Sequence, residues 1–325
     1  MGEFAKGGFT NVGFTWNMPM VSPRDRFGEE LLRIGKEHKN VVVLSADLTR
    51  SMKTGHFLEA IPERYINAGI AEADMMGMAA GLALEGFMPF TSTFAQFAAM
   101  RDCEQVRTDI CYPNLPVRIV ATHAGLSTGC GPTHYSQEDF AIMRSMINMT
   151  VVCPGDPNQV EKVLRASLTH PGPIYIRLGR EAMQTIYDKE YDFVFGKALV
   201  PREGNDAAII ATGIGVSMAY EAAVTLEKEG MHIKVLDMHT IKPIDKDAIV
   251  AAAKTGAILT VEDHNISGGL GSAVAEVLGE GGISIKFKKL GIPDVWAMNG
   301  SPDDLYSLYG FDASGIRSAV KALLG

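Results

Sequence analysis

The chain has 325 residues and a mass of 35.0 kDa, enough for about two domains at roughly 150 residues each. Apolar residues make up 46 % and charged residues 21 %, which excludes a mostly disordered chain. A net charge of −8 argues against gripping nucleic acid or an anionic membrane by bulk charge, while leaving room for a local basic pocket.

Residues 1–20 are rich in Gly, Phe and Asn, without periodicity, and read as an N-terminal extension. No signal-peptide core and no apolar run long enough to span a membrane occurs. The four cysteines (Cys103, Cys111, Cys130, Cys153) show neither CxxC nor Cys/His metal spacing, so the expectation is a cytoplasmic chain with no zinc and no structural disulfide. From Val21 the pattern becomes regular. Phe27, Leu31, Leu32 and Ile34 give residues 24–38 an apolar helical face. Residues 41–47 form a short, nearly continuous apolar run, as in a strand buried on both faces.

The alternation continues with strands at 65–70, 88–94, 116–123, 150–156 and 173–179. Helices are expected at 71–86, from the mid-90s to about Ile110, at 136–146 and from Pro157. Residues 181–206 are polar and irregular. Beyond them a second set of strands (207–213, 233–238, 257–263, 285–292) alternates with helices near 216–230, 245–254, 270–279 and 312–324. This order predicts an α/β protein of two doubly wound domains, residues 21–190 and 191–325.

Familiar nucleotide and hydrolase motifs are absent. Residues 213–218 and 268–273 are glycine clusters that complete no G-x-G-x-x-G and read as turns. Neither G-x-S-x-G nor H-E-x-x-H occurs. Glu72 opens a helix of small residues, and serves either as a first-turn acid favoured by the helix dipole or as a functional carboxylate. The Gly and Ala residues behind it fit either close packing on the sheet or a subunit interface. Phe94 and Phe97 share a helix face, as core residues or as a flat pocket for a heterocycle. His123 and His134 bracket a glycine-rich loop after a strand's C-terminal end, where α/β sheets bind ligands. Arg24, Ser51 and Arg180 stand at the ends of three elements. They are solvated caps if separate and a phosphate site if together.

Taken in order, SADLTRS (45–51), YINAGIAEADMMGMAAGLA (65–83), STFAQF (92–97), THAGLSTGCGPTH (122–134) and YIRLGR (175–180) resemble the C-terminal half of transketolase. The resemblance runs over about 22–325. It implies a pyrimidine-binding domain followed by the family's C-terminal domain. The GDG…N motif that holds the cofactor's diphosphate and metal is missing. The resemblance therefore implies the C-terminal subunit of a split transketolase, with thiamine diphosphate as cofactor and Mg2+ (or Ca2+ or Mn2+) held mainly by a partner N-terminal subunit. Two copies of each chain are expected, phosphorylated sugars as substrates, and neither nucleic acid nor membrane as partner. The implied activity is transfer of a two-carbon ketol unit from a ketose phosphate to an aldose phosphate.

Carried over by motif, Glu72 matches the glutamate that bonds a ring nitrogen of the aminopyrimidine. Phe94 and Phe97 match the aromatics against that ring, with Met100 replacing a third. Asp47 matches an aspartate at the cofactor and subunit junction. Arg24, Ser51, His123 and Arg180 match sugar-phosphate contacts, and His134 a histidine near the substrate's reacting end. Cys130 stands in a shortened loop where the family has an aspartate that contacts a donor hydroxyl, which points to a non-standard sugar. Deoxyxylulose-phosphate synthase and the beta chain of a 2-oxo-acid dehydrogenase are related alternatives, although His123 in THAG favours transketolase. A non-catalytic binding or regulatory subunit is the alternative of another class.

Overall fold

The computed structural model describes residues 19–187 and 191–325, so nearly all of the expected extension lies outside the described residues. The apolar run at Val41–Ser45 forms a strand whose five residues are all buried. It lies within a seven-stranded sheet ordered Thr240–Lys242, Thr150–Val152, Ile174–Arg177, Arg118–Thr122, Met88–Phe94, Val41–Ser45, Tyr65–Asn67. The last six run parallel. A parallel sheet needs cover on both faces, and the helices supply it. Pro23–Glu37 starts with proline in its first turn and buries Phe27, Leu31 and Ile34. On the opposite face, Glu72–Leu84 buries Met75, Met76, Ala79, Ala80 and Ala83.

The second sheet is ordered Lys286–Ile292, Ala257–Asn265, Ala207–Ala211, Ile233–Asp237, Leu199–Arg202. Its first four strands are parallel and its last is antiparallel. Leu199–Arg202 falls in the stretch that reads as irregular. Thr240–Lys242, from the second half of the chain, pairs antiparallel with Thr150–Val152 and closes the edge of the first sheet. The helix expected up to Ile110 is instead three pieces. Phe97–Arg101 and Val106–Cys111 are wide π-type turns flanking Cys103–Gln105. Such turns are frequent at functional sites. Among the described residues no helix is long and apolar enough to cross a membrane.

The two sheets meet along a buried polar seam. Asp156 caps the helix Pro157–Ser167 by accepting from the Gln159 N–H at 2.7 Å, and takes the N–H groups of Ile186 and Tyr187 at 2.8 Å each. Across the seam, the Tyr187 hydroxyl and Gln159 Nε2 both donate to Asp237 Oδ2 at 2.9 Å. Burial raises Asp156 to about 6 and Asp237 to about 7. Nearby, Arg177 forks onto Asp139 at 2.7 and 3.1 Å, and the Tyr175 hydroxyl donates to the same carboxylate.

Candidate active site

The residues singled out in the sequence gather at one edge of the first sheet. Asp47 follows the strand Val41–Ser45, and Glu72 follows Tyr65–Asn67. Phe94 ends Met88–Phe94, His123 follows Arg118–Thr122, and Arg180 follows Ile174–Arg177. All are at or just beyond the C-terminal ends of parallel strands, where open α/β sheets place ligands. Asp47 and His123 both have left-handed backbone (φ +58° and +59°), uncommon for residues other than glycine and enriched at functional sites.

Glu72 is 3 % exposed and accepts a hydrogen bond from Arg101 Nη1 at 2.8 Å. The Arg101 guanidinium also stacks on the Phe97 ring, 4.0 Å from its centroid. Phe94 lies 5.6 Å from Phe97 in a stacked pair. His123 packs 4.0 Å from Phe94, and His134 meets Phe97 edge-on at 5.5 Å. One planar cation is thus held by stacking on Phe97 and by a bond to a buried carboxylate. A flat heterocycle with a ring nitrogen calls for the same two interactions, so these residues fit an aminopyrimidine. Beside them Asp102 is fully buried, and neither carboxylate oxygen has a hydrogen-bond partner among the described residues. Burial, reinforced by the charge of Glu72, pushes Asp102 up to about 7. Nothing in the sequence marked Arg101 or Asp102, since both sit in what reads as an ordinary helix.

Arg24, Ser51 and Arg180 do converge. Arg24 Nε donates to the Arg180 carbonyl at 3.2 Å and Nη1 to the Ser51 carbonyl at 2.8 Å. Burial and the neighbouring Arg180 charge lower the pKa of Arg24. His123 is pushed down to about 3, by burial first and then by Arg24, Arg180 and His134, so its ring is neutral at pH 7. Its Nδ1 pairs with Thr122 Oγ1 at 2.8 Å.

Asp47, Met100 and Cys130 are exposed at the rim. Asp47 is tied to Asn67, whose side chain accepts from the Asp47 and Gly69 N–H groups at 3.0 Å each. Asn67 is a further residue the sequence did not flag, and it fixes the turn at Asp47. The helix behind Glu72 has two characters. Its alanines pack on the sheet, while a Cβ at Gly81 would meet nothing within 4 Å among the described residues, and Met78 and Leu84 are exposed.

Residues 20–185 match the transketolase pyrimidine-binding domain and residues 196–316 the transketolase C-terminal domain. The chain is 37 % identical to a subunit of the apulose-4-phosphate transketolase of Phocaeicola vulgatus, over 91 % of this chain and 96 % of that protein. It is 40 % identical to 6-deoxy-6-sulfo-D-fructose transketolase subunit SqwH of a Clostridium species, over 91 % and 92 %. Among solved structures, a split-gene transketolase described as an inactive beta4 tetramer superposes with a TM-score of 0.86 and 43 % identity. That match covers 94 % of this chain and 99 % of the other. The strand-end cluster and these likenesses agree: the chain belongs to the transketolase family and carries that family's pyrimidine-binding and C-terminal domains.

Proposed function

We propose that this chain is the C-terminal subunit of a two-chain, thiamine-diphosphate-dependent transketolase that moves a two-carbon ketol unit between phosphorylated sugars. The division at residues 21–190 and 191–325 separates the cofactor-facing unit from the C-terminal one. The observation that carries the reading is the cluster in which Glu72, Phe97 and Phe94 offer a buried acceptor beside stacked rings. When bound, thiamine diphosphate supplies a thiazolium that stabilises the negative charge left as a carbon–carbon bond breaks.

The chain's own residues bind, orient and move protons. Glu72 holds a proton at the ring nitrogen of the aminopyrimidine, with Phe94 and Phe97 covering the ring and Met100 forming a softer wall. Asp47 faces the junction with the partner. Arg24 and Arg180 supply the positive charge for the sugar phosphate, with Ser51 beside them. His123 is neutral and hydrogen-bonds without adding charge. His134, edge-on to Phe97, reaches the substrate's reacting end, and Cys130 lines the same approach.

The partner is an N-terminal subunit, which also carries the Mg2+, two copies of each chain making the assembly. Two relatives being named as subunits supports the partner chain. So does the exposed apolar surface around the Glu72 helix, formed by Ile70, Met78, Leu84, Phe87 and Met100. The sugars are non-standard, as the names of those relatives say of theirs. Mixing the purified chain with its partner, thiamine diphosphate and Mg2+ should produce ketol transfer that neither chain shows alone. Robust turnover by this chain alone would overturn the two-chain reading.

A further inference from the structure

The loop 124–134 leaves one strand of the first sheet and returns to that sheet's own helix Asp139–Ser145, yet its root is tied to the other domain. The Leu126 N–H faces both carboxylate oxygens of Asp263, at 3.0 and 3.3 Å. Asp263 lies on Ala257–Asn265 and is 5 % exposed. Its carboxylate also takes the Tyr306 hydroxyl at 3.1 Å, and Arg177 Nη2 donates to its backbone carbonyl at 2.8 Å. Gly125 has φ +61°, and a Cβ there would sit 2.2 Å from the Asp263 carboxylate, so the loop and the acid approach too closely for any side chain.

The far end is held in the same way. Gln137 Nε2 donates to the Val295 carbonyl at 3.2 Å, its Oε1 accepts from the Ala297 N–H at 3.4 Å, and its carbonyl accepts from Asn265 N–H at 2.9 Å. Gly125 and Ser136 exchange backbone bonds at 3.1 and 3.2 Å, closing the neck. Beyond the neck, Gly129 and Cys130 are exposed. The result is a rigid root and an open tip.

We infer that Asp263 is a positioning residue through which the C-terminal domain fixes the root of the 124–134 loop, and so sets how tightly the loop's tip engages the sugar. This rests on the reading of that loop as facing the substrate. A buried carboxylate costs free energy unless bonded, and the bond it makes toward the first domain is to the loop's root. The groups around it are Arg177 from the first sheet, Asp139 from the helix Asp139–Ser145, Tyr306 from the helix Pro302–Tyr309, and Cys153 and Glu181 across a shared cavity. Burial raises Asp263 to about 6, so acid weakens its hold on the Leu126 N–H.

The test compares wild type, Asp263→Asn and Tyr306→Phe in the complex with the partner chain. A root displaced by a fraction of an ångström should raise KM for both sugar phosphates by roughly tenfold or more in Asp263→Asn, with kcat less affected. Tyr306→Phe, which keeps the loop's bond, should fall between. As pH drops through about 6 the substrate phosphate loses charge and KM rises in both proteins, but it should rise more steeply in wild type than in Asp263→Asn. Hydrogen exchange of the Leu126 amide in this chain by itself should speed up in Asp263→Asn while the Asp156 seam keeps its protection. Unchanged KM with only a lower melting temperature, or unchanged exchange at Leu126, would overturn the inference. If the wild-type complex transfers no ketol unit, the functional reading fails, and the exchange measurement still decides the clamp.

Discussion

Two regions of the molecule bury acidic groups, and they treat them differently. At the seam, Asp156 accepts three backbone N–H groups, Asp139 is forked by Arg177, and Asp237 takes a tyrosine and a glutamine. At the sheet edge, Glu72 has the half-exposed Arg101, and Asp102 has no hydrogen-bond partner among the described residues. Buried polar groups normally find partners, so an unsatisfied one calls for an explanation. Every acid of the seam finds at least one partner within the chain, with only Asp237 Oδ1 unpartnered among the described residues, and the seam ties the domains together, whereas both oxygens of Asp102 lack one. On the function proposed above, the edge is left open for a cofactor and another subunit.

The sharpest way to break that comparison is Glu72→Gln. If the edge serves chemistry rather than folding, turnover in the complex should fall by on the order of 10²–10⁴, as for loss of a proton-transferring group. The melting temperature should barely move. Near-normal kcat would return Glu72 to being a first-turn acid.

Asp237→Ala attacks the opposite region. It leaves the Tyr187 hydroxyl and Gln159 Nε2 without their acceptor, at a cost of about 3 kcal/mol for two stranded donors. Thermal unfolding should begin several degrees earlier, while kcat and KM measured well below that temperature stay close to wild type. A variant that melts normally but loses activity would reverse the roles of the two regions.

How much of this was legible in the sequence follows from the same division. The strand Val41–Ser45 and the helix Pro23–Glu37 announce themselves, because continuous burial and a one-sided apolar stripe are local patterns. The strand expected at 65–70 stops at Asn67, because the Asn67 side chain takes the Asp47 and Gly69 amides instead of extending the ladder. Leu199–Arg202 and Thr240–Lys242 are too short for a period, and exist through pairing with distant strands. Glu72, Phe94 and His123 stood out by motif. Arg101, Asp102 and Asp263 did not, since their significance lies in contacts 29 to 137 positions apart in the chain. The meeting of Arg24 with Ser51 and Arg180 is likewise a fact of topology.

Stability against pH sharpens the comparison with a smaller effect. Asp102, Asp237 and Glu262 are raised to about 7, chiefly by burial. Each binds its proton more tightly folded than unfolded. Their penalty is fully present above pH 7 and is relieved as pH falls toward the ordinary carboxylate range. The buried histidines act oppositely. His123 and His239 are lowered to about 3 and His264 to about 4, so falling pH costs stability once it passes the usual histidine value of 6.5. Stability should therefore rise by about 1 kcal/mol from pH 8 to about 6.5 and then level off, because the histidine cost offsets the carboxylate gain. Asp102→Asn and Asp237→Asn should each flatten the rise. A rise that survives both variants would show that neither region governs it.

The smallest expected effect concerns Cys130, at the tip of the open region. An aspartate accepts a charge-assisted hydrogen bond from a sugar hydroxyl, whereas a thiol is a weak donor and a weak acceptor. Cys130 is exposed, and its own N–H is turned back onto Thr128 Oγ1 at 3.2 Å, so the tip presents a short, weakly polar wall. A site built to bond a hydroxyl rejects analogues that leave its polar groups unpaired, and a thiol carries little of that penalty. The complex should therefore accept ketose phosphates with altered stereochemistry or branching near the carbonyl. Cys130→Asp should move kcat/KM by a few-fold toward xylulose 5-phosphate. The check is kcat/KM for xylulose 5-phosphate against its epimers and a branched ketose phosphate, in wild type and variant. If wild type already uses xylulose 5-phosphate efficiently and rejects the others, another residue supplies the hydroxyl contact, and His134, whose ring faces the same aromatic pair, is the nearest candidate in this chain.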